Sequence, residues 1–136
     1  VTFYKHTDQL PDFQDYSMKG RTYRYMTESP LYSFGHGLSY TNFTYGPATL
    51  SQQTISQGKE VILTIPVQNT GNYDGEEMVQ VYLSCSGDKE GPSHTLRAFK
   101  RVHIAKGQRA KCFLSPSTVK HTNGRYKHQH HAYGRR

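Results

Sequence analysis

Val61, Leu63, Ile65 and Val67 recur at every second position, and a period of two commits this part of the chain to a strand with one buried face. The run at 60–68 is followed by Asn69-Thr70-Gly71-Asn72-Tyr73-Asp74-Gly75, dense in residues that accept turns and left-handed conformations. A second run occupies 77–85, with Val79, Val81 and Leu83 on one face and Met78, Gln80 and Tyr82 on the other. The economical link between the two is a hairpin. Pro66 falls on the face opposite the apolar residues, which predicts an edge position or a bulge, because proline cannot donate to a ladder.

The same grammar repeats on either side. Residues 43–50 give a first strand interrupted at Gly46-Pro47, and 96–104 give another after a polar loop at 87–93. Lys106-Gly107-Gln108 then turns the chain into 109–114, where Ala110, Cys112 and Leu114 alternate inward. Short alternating runs separated by turn residues are the signature of an all-β sandwich. Hydrophobic residues make up only 34% of the 136, so one core must be drawn from a limited part of the chain.

Residues 1–42 follow neither period. Pro11, Gly20, Pro30, Gly35 and Gly37 punctuate a stretch that holds most of the 11 tyrosines, which predicts an extended, irregular arm in need of a partner surface. Its first four residues suit a short strand of a domain left behind. The amino terminus has neither an initiator Met nor the apolar middle of a signal peptide, so the chain reads as cut from something longer. No run approaches the roughly 20 apolar residues that span a bilayer, and no membrane partner is expected.

After Pro116 the alternation stops, and 117–136 is polar, basic and rich in His, a composition that favours disorder. Every Asp and Glu lies at or before Glu90, so the net charge of +7 is assigned to this tail. His121, His128, His130 and His131 lack cysteine partners and finger spacing. No metal site and no cofactor is expected beyond adventitious binding. The basic residues would attract nucleic acid only through salt-sensitive phosphate contacts, so no specific nucleic-acid partner is expected either. Cys85 and Cys112 form no disulfide framework, and Cys112 is expected to be an inert core thiol.

Two phrases in the arm carry a resemblance. Tyr16-Ser17-Met18-Lys19-Gly20-Arg21-Thr22-Tyr23-Arg24-Tyr25, followed by Pro30-Leu31-Tyr32-Ser33-Phe34-Gly35-His36-Gly37-Leu38-Ser39-Tyr40-Thr41-Asn42-Phe43, resembles the interdomain linker of glycoside hydrolase family 3 β-glucosidases and β-xylosidases. The likeness continues through Val67-Gln68-Asn69-Thr70-Gly71, the phrase from Gly75 to Leu83, and Leu96-Arg97-Ala98-Phe99-Lys100-Arg101-Val102. It covers roughly residues 1–115. It implies a fibronectin type III-like (immunoglobulin-like) β-sandwich at 43–116, preceded by the arm at 1–42 as the end of an upstream α/β domain plus a docking segment. Past Ser115 the chain departs from the family: Gly124-Arg125-Tyr126 only echoes a last-strand phrase, so that strand is expected to be missing. A shifted reading frame there would account for the loss of both acids and alternation.

Hydrolysis at a sugar acetal by a retaining enzyme needs two carboxyl groups about 5 to 5.5 Å apart. In the family both come from domains upstream of Val1, so no catalytic residue is carried over and the chain alone is expected to be inactive. Asp8, Asp12, Asp15, Glu28, Asp74, Glu76 and Glu77 read as surface solubilising groups. Arg21, Tyr23, Arg24, Tyr25, Phe34, Gly35, Gly37, Leu38 and Tyr40 read as interdomain docking residues in preference to a wall of the sugar cleft, since Arg stacks on aromatics and pairs with carboxylates. His36 joins them as an interface residue.

The resemblance thus implies a non-catalytic piece of a retaining β-glycosidase, bracing the catalytic domains of the same polypeptide, whose substrate is a β-linked oligosaccharide. A free-standing carbohydrate- or protein-binding module is the alternative, because fold does not decide function. Polysaccharide breakdown suggests a periplasmic or secreted location, and the thiols permit a cytoplasmic one. Asn42-Phe43-Thr44 fits a glycosylation acceptor by pattern alone.

Overall fold

The computed structural model describes residues 2–56, 59–84 and 90–115. After a 3-10 turn at Thr7–Gln9 and a single helical turn, α1, at Thr22–Tyr25, the described chain is built from strands. These are β1 (Phe43–Tyr45), β2 (Thr49–Leu50), β3 (Leu63–Asn69), β4 (Gly75–Leu83), β5 (Thr95–Ile104) and β6 (Arg109–Leu114). β3 is the spine of the first sheet, with β6 along one side and β1 then β2 along the other. β4 and β5 pair with each other as a second layer. Every pairing is antiparallel, and the fold is all-β and sandwich-like.

The core lies between the layers. Leu63, Ile65 and Val67 of β3 meet Val79 and Val81 of β4, Ile104 of β5, and Cys112 and Leu114 of β6. Phe43, Tyr45, Leu50, Ala98, Val102 and Ala110 pack around them, and Val61 is buried just ahead of β3. Each large aliphatic side chain so buried contributes about 1.5 to 3 kcal/mol, so the period-two runs supply most of the drive to fold. Burial also pushes the Cys112 thiol above its ordinary pKa, which keeps it protonated and unreactive as the alternation implied. Cys85 lies outside the described residues, as do the tail at 116–136 with its four histidines and the loop residues 85–89.

The hairpin expected between β3 and β4 is not there. Both sides of β3 are already occupied, by β6 and by β1 with β2, so β4 has no place beside it. The link at 70–74 instead carries the chain across to the other layer. At the start of the arm Phe3 bridges Tyr32, its N–H donating to the Tyr32 carbonyl at 3.1 Å.

Pro66 sits in the central strand rather than at an edge, and the irregularity belongs to its neighbour. The N and O of one residue in an antiparallel strand face the same side. Pro66 O accepts from Gly46 N at 2.8 Å, so its donor-free nitrogen faces the break between β1 and β2. From Tyr45↔Val67 to Thr49↔Thr64 that margin advances four residues while β3 advances three. The extra residue is the bulge that tolerates proline.

Two other expectations change. Glu77 is 1% exposed, and Tyr45 Oη donates to its carboxylate at 2.8 Å, so it is not a surface group. Tyr82 is buried although it lies on the face opposite Val79 and Val81, because something covers the outside of β4. The basic excess is also not confined to the tail, since Arg97, Lys100, Arg101, Lys106, Arg109 and Lys111 lie on β5, β6 and the turn between them.

A Cβ at Gly46 would fall 2.6 Å from Pro66 Cγ. Gly46→Ala is expected to cost about 1 to 3 kcal/mol by overpacking, read from urea midpoints, and to cost much less in a Pro66→Ala background. Additive effects of the two substitutions would contradict this contact.

Candidate docking site

The outside of β4 is covered by the arm. One turn of helix at α1 turns Tyr23 toward the sheet, and Gly35, at φ 82, brings Phe34 back over it. The Tyr23 and Phe34 rings stack at 4.2 Å and 17°. Tyr23 also meets the edge of Tyr82 at 5.9 Å and His94 at 5.4 Å. Such pairs contribute about 0.5 to 1.5 kcal/mol each beyond area burial. Tyr23 Oη accepts from Leu96 N at 3.2 Å, and the Arg24 carbonyl accepts from Ser93 N at 2.7 Å and Ser93 Oγ at 2.9 Å. A Cβ at Gly35 would fall against the Gln80 amide, which would have to move aside, and Tyr82 Oη bonds the same amide.

The second anchor is where the arm enters β1. Thr41 is buried and donates from Oγ1 to Asn69 Oδ1 at 2.6 Å. The same oxygen accepts from Gly71 N at 3.0 Å, while Asn69 Nδ2 donates to Tyr73 O at 2.7 Å and Ile104 O at 2.9 Å. A Cβ at Gly71 would lie 2.6 Å from Asn42 N, and one at Gly75 would lie 2.5 Å from Thr41 Cγ2. The two glycines form the notch that holds Thr41. Exposed Asn42 uses its carbonyl to accept from Thr70 N at 2.8 Å.

The nine residues singled out in the arm therefore divide. Tyr23, Phe34 and Gly35 face the chain's own sandwich. Arg24 is held by its backbone, with its side chain exposed. Arg21 turns to Asp15 at 3.8 Å within the arm. The Asp15 carboxyl is held below its ordinary pKa chiefly by the Ser17 N–H and then the Ser17 hydroxyl, against a desolvation effect, with Arg21 adding to the lowering. Tyr25 and Gly37 are half-buried. Leu38 and Tyr40, between the two anchors, are 87% and 97% exposed, as are Phe13 at 93% and Tyr16 at 88% earlier in the arm. His36 is exposed beside the Tyr32 ring at 4.9 Å. Among the described residues no group of three or more His, Cys, Asp or Glu is placed to hold a metal.

No family model matches the chain. Over 110 residues, 81% of the chain, it is 48% identical to a xylan 1,4-β-xylosidase of Xylanibacter ruminicola. Over 122 residues it is 32% identical to a periplasmic β-glucosidase of Salmonella typhimurium. In three dimensions it superposes on a β-glucosidase from Erythrobacter marinus with a TM-score of 0.69 over 95% of the chain, at 29% identity. The chain belongs to glycoside hydrolase family 3. It spans 12% and 16% of the length of those two enzymes and 18% of the solved structure.

Within this family 3 chain, the receiving side of the arm was not singled out from sequence: Gln80, Tyr82, Ser93 and His94 on the sandwich, and Asn69 with Gly71 and Gly75 at the notch. Tyr82 carried a signal, an aromatic on the strand face opposite Val79 and Val81. Asn69 carried a weaker one, an amide continuing the buried parity of Leu63, Ile65 and Val67. Removing the Asn69 amide strands several buried groups at once, so Asn69→Ala is expected to cost about 3 kcal/mol or more in chemical denaturation. Asn72→Ala, at an exposed position one turn on, should change stability by less than about 0.5 kcal/mol. Equal effects at the two positions would contradict the role given to Asn69.

Proposed function

We propose that this chain braces the catalytic domains of a retaining β-glycosidase and itself carries no catalytic group. In this reading residues 43–116 are a fibronectin type III-like sandwich, and residues 1–42 are the arm it holds out. The observation that carries the proposal is the near-complete exposure of Phe13, Tyr16, Leu38 and Tyr40 on an arm anchored at both Tyr23 and Thr41. Exposed aromatic and aliphatic side chains suit a protein surface, and the anchors on either side of Leu38 and Tyr40 mean that little further ordering is needed there on docking. The names of the relatives point to β-xylosides or β-glucosides as substrates of the whole enzyme.

The test uses the Xylanibacter ruminicola xylosidase with the segment matching this chain removed. Adding the chain in trans is expected to raise the melting temperature of that truncated enzyme and its release of nitrophenol from aryl β-xyloside. The chain alone should release none. Phe13→Ala with Tyr40→Ala should weaken capture at least about tenfold, about 1.4 kcal/mol, without lowering the chain's own melting temperature. Absence of both capture and stabilisation would refute the bracing role.

A further inference from the structure

The outer face of the β1/β2–β3–β6 sheet is untouched by the arm contacts described above, and its composition is unlike the other faces. Along β6, Arg109, Lys111 and Phe113 point away from the buried Cys112 and Leu114, and all three are exposed. Across the ladder they stand beside Gln68, Pro66 and Thr64 of β3, and Thr64 in turn stands beside Thr49 of β2. At about 3.3 Å per residue the three β6 side chains cover about 13 Å in a straight row.

Arg109 does not hang loose in solvent. Its Nε donates to Gln68 Oε1 at 2.8 Å, which fixes the plane of the guanidinium and leaves the terminal nitrogens for a second partner. Among the described residues neither Arg109 nor Lys111 has a carboxylate within ion-pair distance, whereas Arg21 and Arg101 are paired with Asp15 and Glu76. From 91 to 115 the chain has six Lys and Arg residues and no acid. A planar fork held for bidentate carboxylate recognition, a second cation and an exposed ring beside threonine hydroxyls form one continuous surface.

We propose that this face binds an acidic, uronate-bearing β-linked polysaccharide. Arg109 and Lys111 receive the uronate carboxylate, and the Phe113 ring carries the apolar face of a sugar, with Thr49 and Thr64 offering hydroxyls at its edge. An exposed aromatic face offers an apolar platform to a pyranose ring, and the flanking charged and hydroxyl groups would set its orientation. The occupant is a glycan rather than a nucleic acid because the row holds a single ring among aliphatic hydroxyls, whereas strand-binding grooves stack successive bases on several aromatics. The site is distinct from the arm, so it stands or falls separately from the bracing role.

Affinity electrophoresis of the full chain through gels containing glucuronoxylan, neutral arabinoxylan, polyglutamate or single-stranded DNA tests it. Glucuronoxylan should retard the chain at least about tenfold more strongly than arabinoxylan. Arg109→Gln with Lys111→Gln should abolish that preference. Phe113→Ala should weaken glucuronoxylan binding several-fold while leaving polyglutamate retardation unchanged. All variants keep the basic tail, so differences among them report the face. Equal retardation by polyglutamate and glucuronoxylan, insensitive to Phe113→Ala, would show polycation behaviour only and overturn the proposal. So would capture of the truncated xylosidase that is lost in the Arg109/Lys111 variant while glycan retardation is unchanged, because the face would then be an interdomain contact.

Discussion

The Asn69 side chain is the interaction on which the arrangement of this chain depends. It is 0% exposed, and its amide uses both donors, on Tyr73 O and Ile104 O, and accepts twice, from Thr41 Oγ1 and Gly71 N. A buried amide left unbonded costs several kcal/mol, so the residue is tolerable at the end of β3 only if all four partners are where they are. Those partners belong to the arm's penultimate residue, the crossing between sheets, and the end of β5. One side chain therefore ties the link that follows it to two segments 28 and 35 residues away, and the two flanking glycines are small because Thr41 has to reach it.

The consequence is an arm held as a strap. Its far anchor is the stack of Tyr23 and Phe34 against Tyr82 and His94, and its near anchor is Thr41 in the glycine notch. Leu38 and Tyr40 lie between these points, so their direction is set by both. An unanchored aromatic arm would pay ordering entropy for each side chain and backbone unit on meeting a neighbour. Here folding of the sandwich meets much of that cost beforehand.

What the sequence made legible was local. The period of two located the strands, including 109–114 to the residue and the break at Gly46-Pro47, because parity is a property of each strand by itself. It did not say which strand lies beside which. The Asn69–Gly75 link reads as a hairpin until β6 and the β1/β2 margin are known to occupy both sides of β3. Glu77 was misjudged for a related reason, and the burial of Tyr82 has the same origin: it comes from Tyr45 for the one and from the arm for the other, 32 and 59 residues away in sequence. The proposed docking residues were picked out as a set from the linker resemblance, but their division into inward and outward members depends on side-chain direction.

A sandwich this small normally spends one face of each sheet on the core and leaves the other to water. In this chain the outer face of β4 is spent on the arm, which explains why Gln80 and Tyr82 replace the charged residues usual there. Among the described residues the outer face of β3 and β6 has no such cover, and it keeps hydroxyls, cations and one exposed ring. Pro66 sits in the middle of that face with its missing donor turned to the β1–β2 break. The bulge that admits it adds local twist to the sheet margin beside Thr49 and Thr64. Each layer therefore has one surface defined by the shared core and another defined by a separate demand, and the irregular residues of the sequence mark where those demands act.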